Sequence, residues 1–212
     1  MPILFQDKLL AVCLKPPGLL SQDGPGGTLP ALLREQLGGE IFPVHRLDRE
    51  AGGLMVYART SRAAGALSAA MGEFRKEYLC IVRGCPEERE GTWRDLLLHD
   101  KARNKSFVVH RMRGGVKEAS LQYHVLAEKD GLSLVRVRLH TGRTHQIRVQ
   151  FASRGTPLAG DGKYGGGSGG MALWSWSLAF PHPSGKPMAF QALPEGRGWE
   201  AFAEELAAFQ NN

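Results

Sequence analysis

Residues 45–57 read HRLDREAGGLMVY, in which Asp48 stands directly before a glycine-containing turn and an apolar run. Later in the chain, residues 140–148 read HTGRTHQIR. The turn can present the Asp48 carboxylate rigidly at a cleft, although an aspartate before a turn is more commonly a cap. The later stretch offers Arg143, and such pairing lowers the pKa of a carboxyl group by about 1–3 units, which keeps it ionised as a nucleophile. The two stretches together predict a reaction centre.

The apolar pattern around these stretches predicts mainly strands, with helices between some of them. Predicted strands cover residues 9–14, 53–57, 77–82, 121–126, 132–139 and 173–180. Predicted helices cover residues 28–38, capped by Thr28 and ended by Gly38; 61–71, capped by Ser61; and 144–155, with Arg143 at the entrance. Because the helices do not alternate regularly with the strands, the sequence predicts the α+β class.

Composition indicates a folded protein with a basic surface. Of the 212 residues, 42% are hydrophobic and 23% charged, and a single domain over residues 1–212 is the simplest expectation. The net charge of +6 weakly favours a polyanionic partner. The bases concentrate between residues 99 and 117, where only Asp100 opposes them; they are Lys101, Arg103, Lys105, Arg111, Arg113 and Lys117. This segment is either a strand that meets phosphates or a solvated hairpin.

Membrane spans, leader peptides and metal sites have no support in the sequence. No window approaches the ~18 apolar residues of a membrane helix, and the N-terminus lacks signal-peptide features, so we expect a cytoplasmic protein. The three cysteines are typical of reduced thiols, and no zinc-site pattern surrounds them. His140 and His145 lack the H-E-x-x-H spacing of a zinc helix. No heptad repeat is present, which favours a monomer.

Two other motifs suggest chemistry that the sequence does not support well. Residues 160–165 match G-x-G-x-x-G, but no strand precedes them and more glycines follow, so they predict a loop and not a dinucleotide site. Glu50 offers a second carboxylate beside Asp48, which leaves an N-glycoside hydrolase as an alternative. Glycosidases need about 5 Å or more between their two carboxyl groups, and residues two apart in a loop have no defined separation.

Several motifs occur in an order that resembles one known family, the RluA-type RNA pseudouridine synthases. The motifs are KPPG at residues 15–18, HRLD at 45–48, KEY at 76–78, TGRTHQIR at 141–148, GDGKYG at 160–165 and FPHP at 180–183. The resemblance implies a pseudouridine synthase fold with a mixed, mainly antiparallel central sheet and flanking helices around a catalytic cleft. It also implies an isomerase that rejoins carbon 5 of uracil to the ribose of RNA without a cofactor or metal.

The resemblance assigns catalytic roles to three residues. Asp48 matches the essential aspartate of the family. Tyr78 matches the tyrosine that packs on the uracil and is a candidate base for the carbon 5 proton. Arg143 matches the arginine that pairs with the aspartate. These three residues are therefore the expected catalytic centre.

Three further residues are expected to bind the RNA. Arg46 matches the arginine that takes the place of the target nucleotide when that nucleotide leaves the base stack. Arg148 and Lys163 are candidates for phosphate contact. The expected substrate is a structured loop of ribosomal or transfer RNA. A separate N-terminal RNA-binding domain, which many relatives carry, is not expected here.

The sequence departs from the family pattern at two places. Residues 51–53 read AGG where the family usually has Thr-Ser-Gly, and residues 173–175 read LWS where Leu-His-Ala is usual. The first change removes two hydroxyl groups beside Asp48. It motivates an alternative in which the chain is an RNA-binding protein with a decayed synthase site.

Overall fold

The computed structural model describes residues 1–194, 196 and 198–210. The strands of the described chain are β1 (Ile3–Gln6), β2 (Leu10–Lys15), β3 (Phe42–Pro43), β4 (Gly52–Ala58), β5 (Arg75–Arg83), β6 (Glu90–Asp100), β7 (Lys105–Val109), β8 (Val116–Lys129), β9 (Leu132–Leu139), β10 (Leu173–Pro181) and β11 (Pro187–Gln191). The helices are α1 (Leu29–Leu37), α2 (Ser61–Ala69), α3 (Gln146–Ala152) and α4 (Ala203–Gln210), with 3₁₀ turns at Ala70–Glu73 and Glu200–Phe202. Two compact units can be distinguished: the first comprises Met1–Lys76 and Trp174–Pro194, and the second comprises Glu77–Leu173 and the C-terminal segment.

The first unit is built around β4, whose seven residues are all buried. The strand order is β1-β2-β4-β10-β11, with β3 also paired to β4. The β4–β10 pair is parallel, whereas the pairs β1–β2, β2–β4, β3–β4 and β10–β11 are antiparallel. A strand buried on both faces needs side chains without charge, and residues 52–58 supply only glycine, apolar residues and one tyrosine.

The core of the first unit lies between this sheet and α2. Ala63 and Leu67 of α2 pack with Val56 of β4 and with Phe74. The Phe74 ring stacks on the Phe180 ring at a centroid distance of 5.3 Å. Burial of these apolar side chains, at about 1.5–3 kcal/mol for each large one, holds the helix on the sheet.

The second unit has the strand order β5-β9-β8-β6-β7, and its β6, β7, β8 and β9 pairs are antiparallel. Helix α3 packs on this sheet through Val149, which contacts Leu97 of β6 and Ala119 of β8. Phe151 of α3 meets the Trp93 ring edge-on at 4.7 Å. The second unit therefore supports the segment that precedes α3, which carries Arg143.

The basic segment at residues 99–117 forms the ends of β6, β7 and β8 and the turns between them. Antiparallel pairing joins β6 to both β7 and β8, so the hairpin geometry is present. Strands β1, β3, β6, β7 and β11 and helix α4 were not predicted from the sequence. The strands and helices that were predicted are all present, and their ends agree with the prediction within a few residues.

Two helix starts differ from the prediction. Helix α2 is capped by Thr60 and not by Ser61, because the Thr60 hydroxyl accepts a hydrogen bond from the Ala63 N–H at 3.1 Å. Helix α3 begins at Gln146 and not near Thr144. His145 has a left-handed backbone with φ of 55°, which cannot continue a right-handed helix.

The fold agrees with the α+β class and with a mixed, largely antiparallel arrangement of strands accompanied by helices. The expectation of a single domain over residues 1–212 stays a prediction. Within the described ranges, no helix has the length and apolar character that crossing a membrane requires.

The corrected cap gives a direct test. We expect Thr60→Ala to destabilise the protein by about 1 kcal/mol because the Ala63 N–H loses its acceptor. The matched control is Ser61→Ala, which removes a neighbouring exposed hydroxyl from the first helical position and should change the free energy of unfolding by less than about 0.5 kcal/mol. Urea unfolding of the two variants measures both values. Equal losses would contradict the assignment of Thr60 as the cap.

Candidate active site

Asp48 lies in a tight turn between β3 and β4, and its side chain is partly buried. The Ala51 N–H donates to the Asp48 carbonyl at 3.1 Å, which closes the turn. On the N-terminal side, Leu47 is buried and tied to Ser21, whose hydroxyl donates to the Leu47 carbonyl at 2.9 Å and accepts from the Leu47 N–H at 3.2 Å. The backbone immediately before the carboxylate is therefore fixed by a buried hydroxyl.

The backbone after Asp48 is held by the KPPG stretch. The Arg49 carbonyl accepts from the Gly18 N–H at 2.8 Å and from the Lys15 ammonium at 2.9 Å. The Arg49 side chain returns a hydrogen bond from Nε to the Gly18 carbonyl at 2.9 Å. Asp48 is therefore flanked on both sides by residues whose main chains are bonded to distant parts of the sequence.

Lys15 is the most unusual group in this arrangement because its side chain is fully buried at the end of β2. Its Nζ donates to the carbonyls of Pro16 and Arg49, both at 2.9 Å. Burial lowers the pKa of Lys15 to about 8, although the nearby negative charges of Glu50 and Asp48 act in the opposite direction. The ammonium thus supplies positive charge and hydrogen bonds beneath the turn that carries Asp48.

His45 holds the start of the HRLD stretch against β4 and stays neutral. Its Nε2 accepts from the Val56 N–H at 3.2 Å, so the ring proton lies on Nδ1. Burial, assisted by the nearby charge of Lys76, lowers the pKa of His45 to about 3. An imidazole with such a pKa cannot exchange a proton near neutral pH, so His45 acts as a structural acceptor. Arg46, by contrast, is exposed.

Tyr78 and Arg143 belong to the second unit. Tyr78 is buried in β5 with 5% of its surface exposed. Arg143 is half-buried in the loop before α3, where its Nε donates to the Glu118 carbonyl of β8 at 2.7 Å and its N–H donates to the Gln146 side-chain oxygen at 3.0 Å. The loop conformation around Arg143 is therefore set by the adjacent strand and by the first residue of the helix.

Arg148 has a different environment from the one expected of a phosphate ligand. Its side chain is 7% exposed, and its Nε and Nη2 form a bidentate pair with Asp161 at 2.6 and 2.8 Å. Breaking such a buried pair is costly, so this environment argues against a direct phosphate contact. Lys163 is exposed, and its backbone N–H donates to Asp161 at 3.2 Å. Asp161 therefore connects the two predicted RNA-binding residues.

The structure places the predicted site residues in two groups. Asp48 and Arg46 lie in the first unit, whereas Tyr78, Arg143, Arg148 and Lys163 lie in the second. The pairing of Asp48 with Arg143 stays a prediction. No group of three or more residues able to bind a metal occurs among the described His, Cys, Asp and Glu residues.

Sequence reasoning missed several residues that support the site. Lys15 carried a signal, since a lysine at the end of an apolar strand and before two prolines is an unusual place for a charge. Ser21 and Asp161 carried no comparable signal, because their partners lie 26 and 13 residues away in the chain.

The two departures from the family pattern meet in the first unit. Trp174 of β10 pairs in register with Gly52 of β4, and a Cβ atom built on Gly52 would lie 2.3 Å from the Trp174 ring. Gly53 has φ of 111°, and its Cβ would lie 2.3 Å from the Ser175 carbonyl oxygen, so this position admits only glycine.

Comparison with known proteins agrees with the motifs. The sequence pattern of the family described as RNA pseudouridylate synthase matches residues 9–153. The chain is 36% identical over 180 residues to "Uncharacterized RNA pseudouridine synthase YhcT" of Bacillus subtilis, which corresponds to 79% of this chain and 59% of that protein. It is 32% identical to "Ribosomal large subunit pseudouridine synthase D" of Zymomonas mobilis, over 91% of this chain and 68% of that protein.

The fold also has a solved counterpart. A structure titled "Human RNA Pseudouridylate Synthase Domain Containing 4" superposes with a TM-score of 0.78 at 24% identity, over 97% of this chain and 92% of that chain. The chain belongs to the RNA pseudouridylate synthase family, whose members are isomerases that convert uridine to pseudouridine in RNA. Within this family it is of the RluA type.

The buried Lys15 predicts a specific pH dependence. In the folded chain its pKa is about 8, and in the unfolded chain it returns to 10.5. Between these values the unfolded state binds more protons at this site, so the Lys15 contribution to stability rises with pH. We expect the stability of the wild type relative to Lys15→Met to increase by on the order of 2 kcal/mol from pH 7 to pH 10.

Urea unfolding of both proteins across this pH range measures the difference. The subtraction removes titrations that the two proteins share, including that of Cys13, whose pKa burial raises to about 12. A pH-independent difference would contradict the burial of Lys15. Lys129→Met, which changes an exposed lysine, is the matched control and should show no such slope.

Proposed function

We propose that this chain isomerises a uridine in a structured loop of ribosomal RNA to pseudouridine, with Asp48 as the essential carboxylate. The reaction breaks the bond between uracil N1 and ribose C1′, rotates the base and joins C5 to C1′. The proton on C5 is removed and N1 gains a proton, so the atoms and electrons balance without a cofactor. The observation that most directly supports this role of Asp48 is the rigidity of its turn, which hydrogen bonds from Ser21, Gly18 and Lys15 hold on both sides.

A fixed turn suits this chemistry because the carboxylate must meet a nucleoside at one defined distance. Positioning of reacting groups lowers a barrier by about 7–11 kcal/mol when the geometry is near that of attack. The Lys15 ammonium lies close enough to Asp48 for their charges to interact. Lys15 therefore supplies positive charge beside Asp48 without any need for Lys15 itself to reach the substrate.

Tyr78 and Arg143 complete the proposed catalytic centre. We propose that uracil stacks on Tyr78, whose ring is held in a fixed place by its burial in β5. We propose that Arg143, whose Nε donates to the Glu118 carbonyl, pairs with Asp48, as the family resemblance implies. Exposed Arg46 is the proposed substitute for the uridine that leaves the base stack.

RNA binding is assigned to the basic arm, which we define as residues 99–117. Its exposed bases are Lys101, Arg103, Arg111, Arg113 and Lys117. Phe107 and Met112 are also exposed, at 36% and 57%, and offer apolar surfaces to unstacked bases. We propose that the exposed bases contact phosphates, and that Lys163 adds one more contact.

The arm is attached to the loop that carries Arg143. Buried Ser106 of β7 donates from its hydroxyl to the Thr144 carbonyl at 2.6 Å, and its N–H donates to the Tyr164 hydroxyl at 2.7 Å. Thr144 directly follows Arg143. RNA held by the arm would therefore be presented on a surface that is rigidly connected to one catalytic residue.

The ribosomal substrate is favoured by the name of the Zymomonas mobilis relative, "Ribosomal large subunit pseudouridine synthase D". Transfer RNA is the second substrate to test. We further propose that the protein acts as a monomer in the cytoplasm, where both RNAs are available. Sedimentation of the purified protein tests its oligomeric state.

The central prediction concerns Asp48→Asn. This change keeps the shape of the side chain and removes its charge, so we expect RNA affinity to persist while kcat falls by at least about 10⁴-fold, as for loss of a covalent nucleophile. The wild type and the variant are incubated with unmodified ribosomal and transfer RNA, and pseudouridine is mapped by mass spectrometry. Glu50→Gln, two residues away, is the matched control and should retain activity.

The same assay separates the alternatives. Undiminished product from Asp48→Asn would contradict the role of this carboxylate. RNA binding by the wild type without any isomerisation would indicate the decayed site that the absent hydroxyls of residues 51 and 52 suggest. Release of free uracil, lost in both Asp48→Asn and Glu50→Gln, would indicate an N-glycoside hydrolase.

The basic arm predicts a change in salt dependence. Replacing Arg111, Arg113 and Lys117 by Gln should weaken RNA binding and reduce the slope of log K against log salt by about 2–3, because each lost phosphate contact removes about 0.7–0.9 of slope. Fluorescence titration of labelled RNA at several salt concentrations measures this slope.

The control keeps the net charge equal and changes its position. Lys8, Arg62 and Lys186 are exposed bases of the first unit, and their replacement by Gln removes the same three charges. If both triple variants lose the same slope, RNA is attracted by net charge and not by the arm.

A further inference from the structure

Gly52, the first residue of β4, is a glycine because of the space around it and not because of its backbone. Its φ lies outside the left-handed region that favours glycine. A Cβ atom at this position would lie 2.3 Å from Cζ3 and 2.5 Å from Cε3 of Trp174, and 3.2 Å from Cδ of Pro17. The first two distances are shorter than any real contact of a Cβ atom, so even alanine would displace the indole ring.

The indole ring is itself held in place. Trp174 is 9% exposed, and β10 and β4 are paired in parallel with Trp174 opposite Gly52. The indole N–H donates to the Ala192 carbonyl at 2.8 Å. A ring fixed by its strand and by this hydrogen bond cannot move aside without losing an interaction worth about 0.5–1.5 kcal/mol.

The position of this contact relates it to Asp48. Gly52 directly follows Ala51, whose N–H closes the turn on the Asp48 carbonyl. Pro17 belongs to the same KPPG stretch whose Gly18 bonds Arg49. The six-membered part of the indole therefore fills the space between two segments that hold the turn, at the point where the turn enters β4.

We propose that Trp174 and Gly52 are a positioning pair for Asp48, in which the indole replaces the side chain that residue 52 lacks and sets the place of the catalytic turn. This inference rests on the proposed role of Asp48. Each residue is suited to the other, so either one changed alone displaces the turn, and both changed together restore it. Neither residue needs to touch the RNA.

A double-mutant cycle on kcat tests the pair. Gly52→Ala adds only the Cβ atom that meets the ring, and Trp174→His removes the six-membered ring that contains Cζ3 and Cε3 while keeping a ring N–H. We expect Gly52→Ala to lower kcat by about 100-fold, the cost of displacing a reacting group by an ångström or so. Trp174→His should lower kcat by a smaller factor, and the double variant should recover activity above both singles.

Additional measurements separate positioning from loss of folding or binding. KM and RNA affinity should stay near wild-type values in every variant, because the proposed effect is on the reacting carboxylate. Thermal unfolding shows which variants are folded at the assay temperature. Gly65→Ala is the matched control, since a Cβ at Gly65 of α2 meets nothing within 4 Å, and it should leave kcat unchanged.

The outcomes decide the proposal in each case. If Gly52→Ala alone does not fold, the double variant must still fold, and its kcat must not be lower than that of Trp174→His. A double variant that is no more active than Trp174→His overturns the proposal, as does wild-type kcat in Gly52→Ala. A wild type without activity, or an active Asp48→Asn, instead contradicts the proposed function itself.

Discussion

The buried ammonium of Lys15 is the constraint on which the candidate site depends. Removing a charge from water is expensive, and the site offsets this cost with two carbonyl acceptors and the negative charges of Glu50 and Asp48. One of those acceptors is the carbonyl of Arg49, directly after Asp48. The hydrogen bond from Lys15 to Arg49 therefore stabilises both the buried ammonium and the turn that carries Asp48. If the turn moved, the buried charge would lose this acceptor.

Other polar groups around the turn also form hydrogen bonds to main-chain atoms and so fix the backbone. Ser21 satisfies both backbone groups of Leu47, and neutral His45 accepts the Val56 N–H. Each group exchanges its contacts with water for bonds to main chain, so it fixes backbone and not only side chains. A site built in this way is rigid without a large core of its own. The arrangement suits the proposed role of Asp48, which requires the carboxylate to meet a nucleotide at one fixed position.

Much of this organisation could be predicted where the signal lies within a few residues. Thr28 and Gly38 mark the ends of α1 correctly, and the HRLD turn and the strand after it follow from local pattern. Local signals fail where two equivalent residues compete, as with Thr60 and Ser61, or where polar residues are frequent, as in β6. They also cannot identify the Asp161 partner of Arg148, because that ion pair depends on how a glycine-rich loop returns to α3. Where spacing left the site open, the candidate residues come from the family resemblance, and their roles stay predictions.

The departures at Gly52 and Trp174 change how the missing hydroxyls beside Asp48 should be interpreted. A site that decays without constraint would leave a cavity, and cavities in packed regions cost about 24 cal/mol per Å³. Here the space beside Gly52 is filled by a tryptophan whose N–H has a partner. Ala51 is likewise 1% exposed, so a hydroxyl there would need an acceptor that an alanine does not. The changes at residues 51–53 and 173–175 therefore fit a site that has been repacked around Asp48 better than they fit two unrelated losses. This favours the hypothesis of an active synthase over that of an RNA-binding protein with a decayed site.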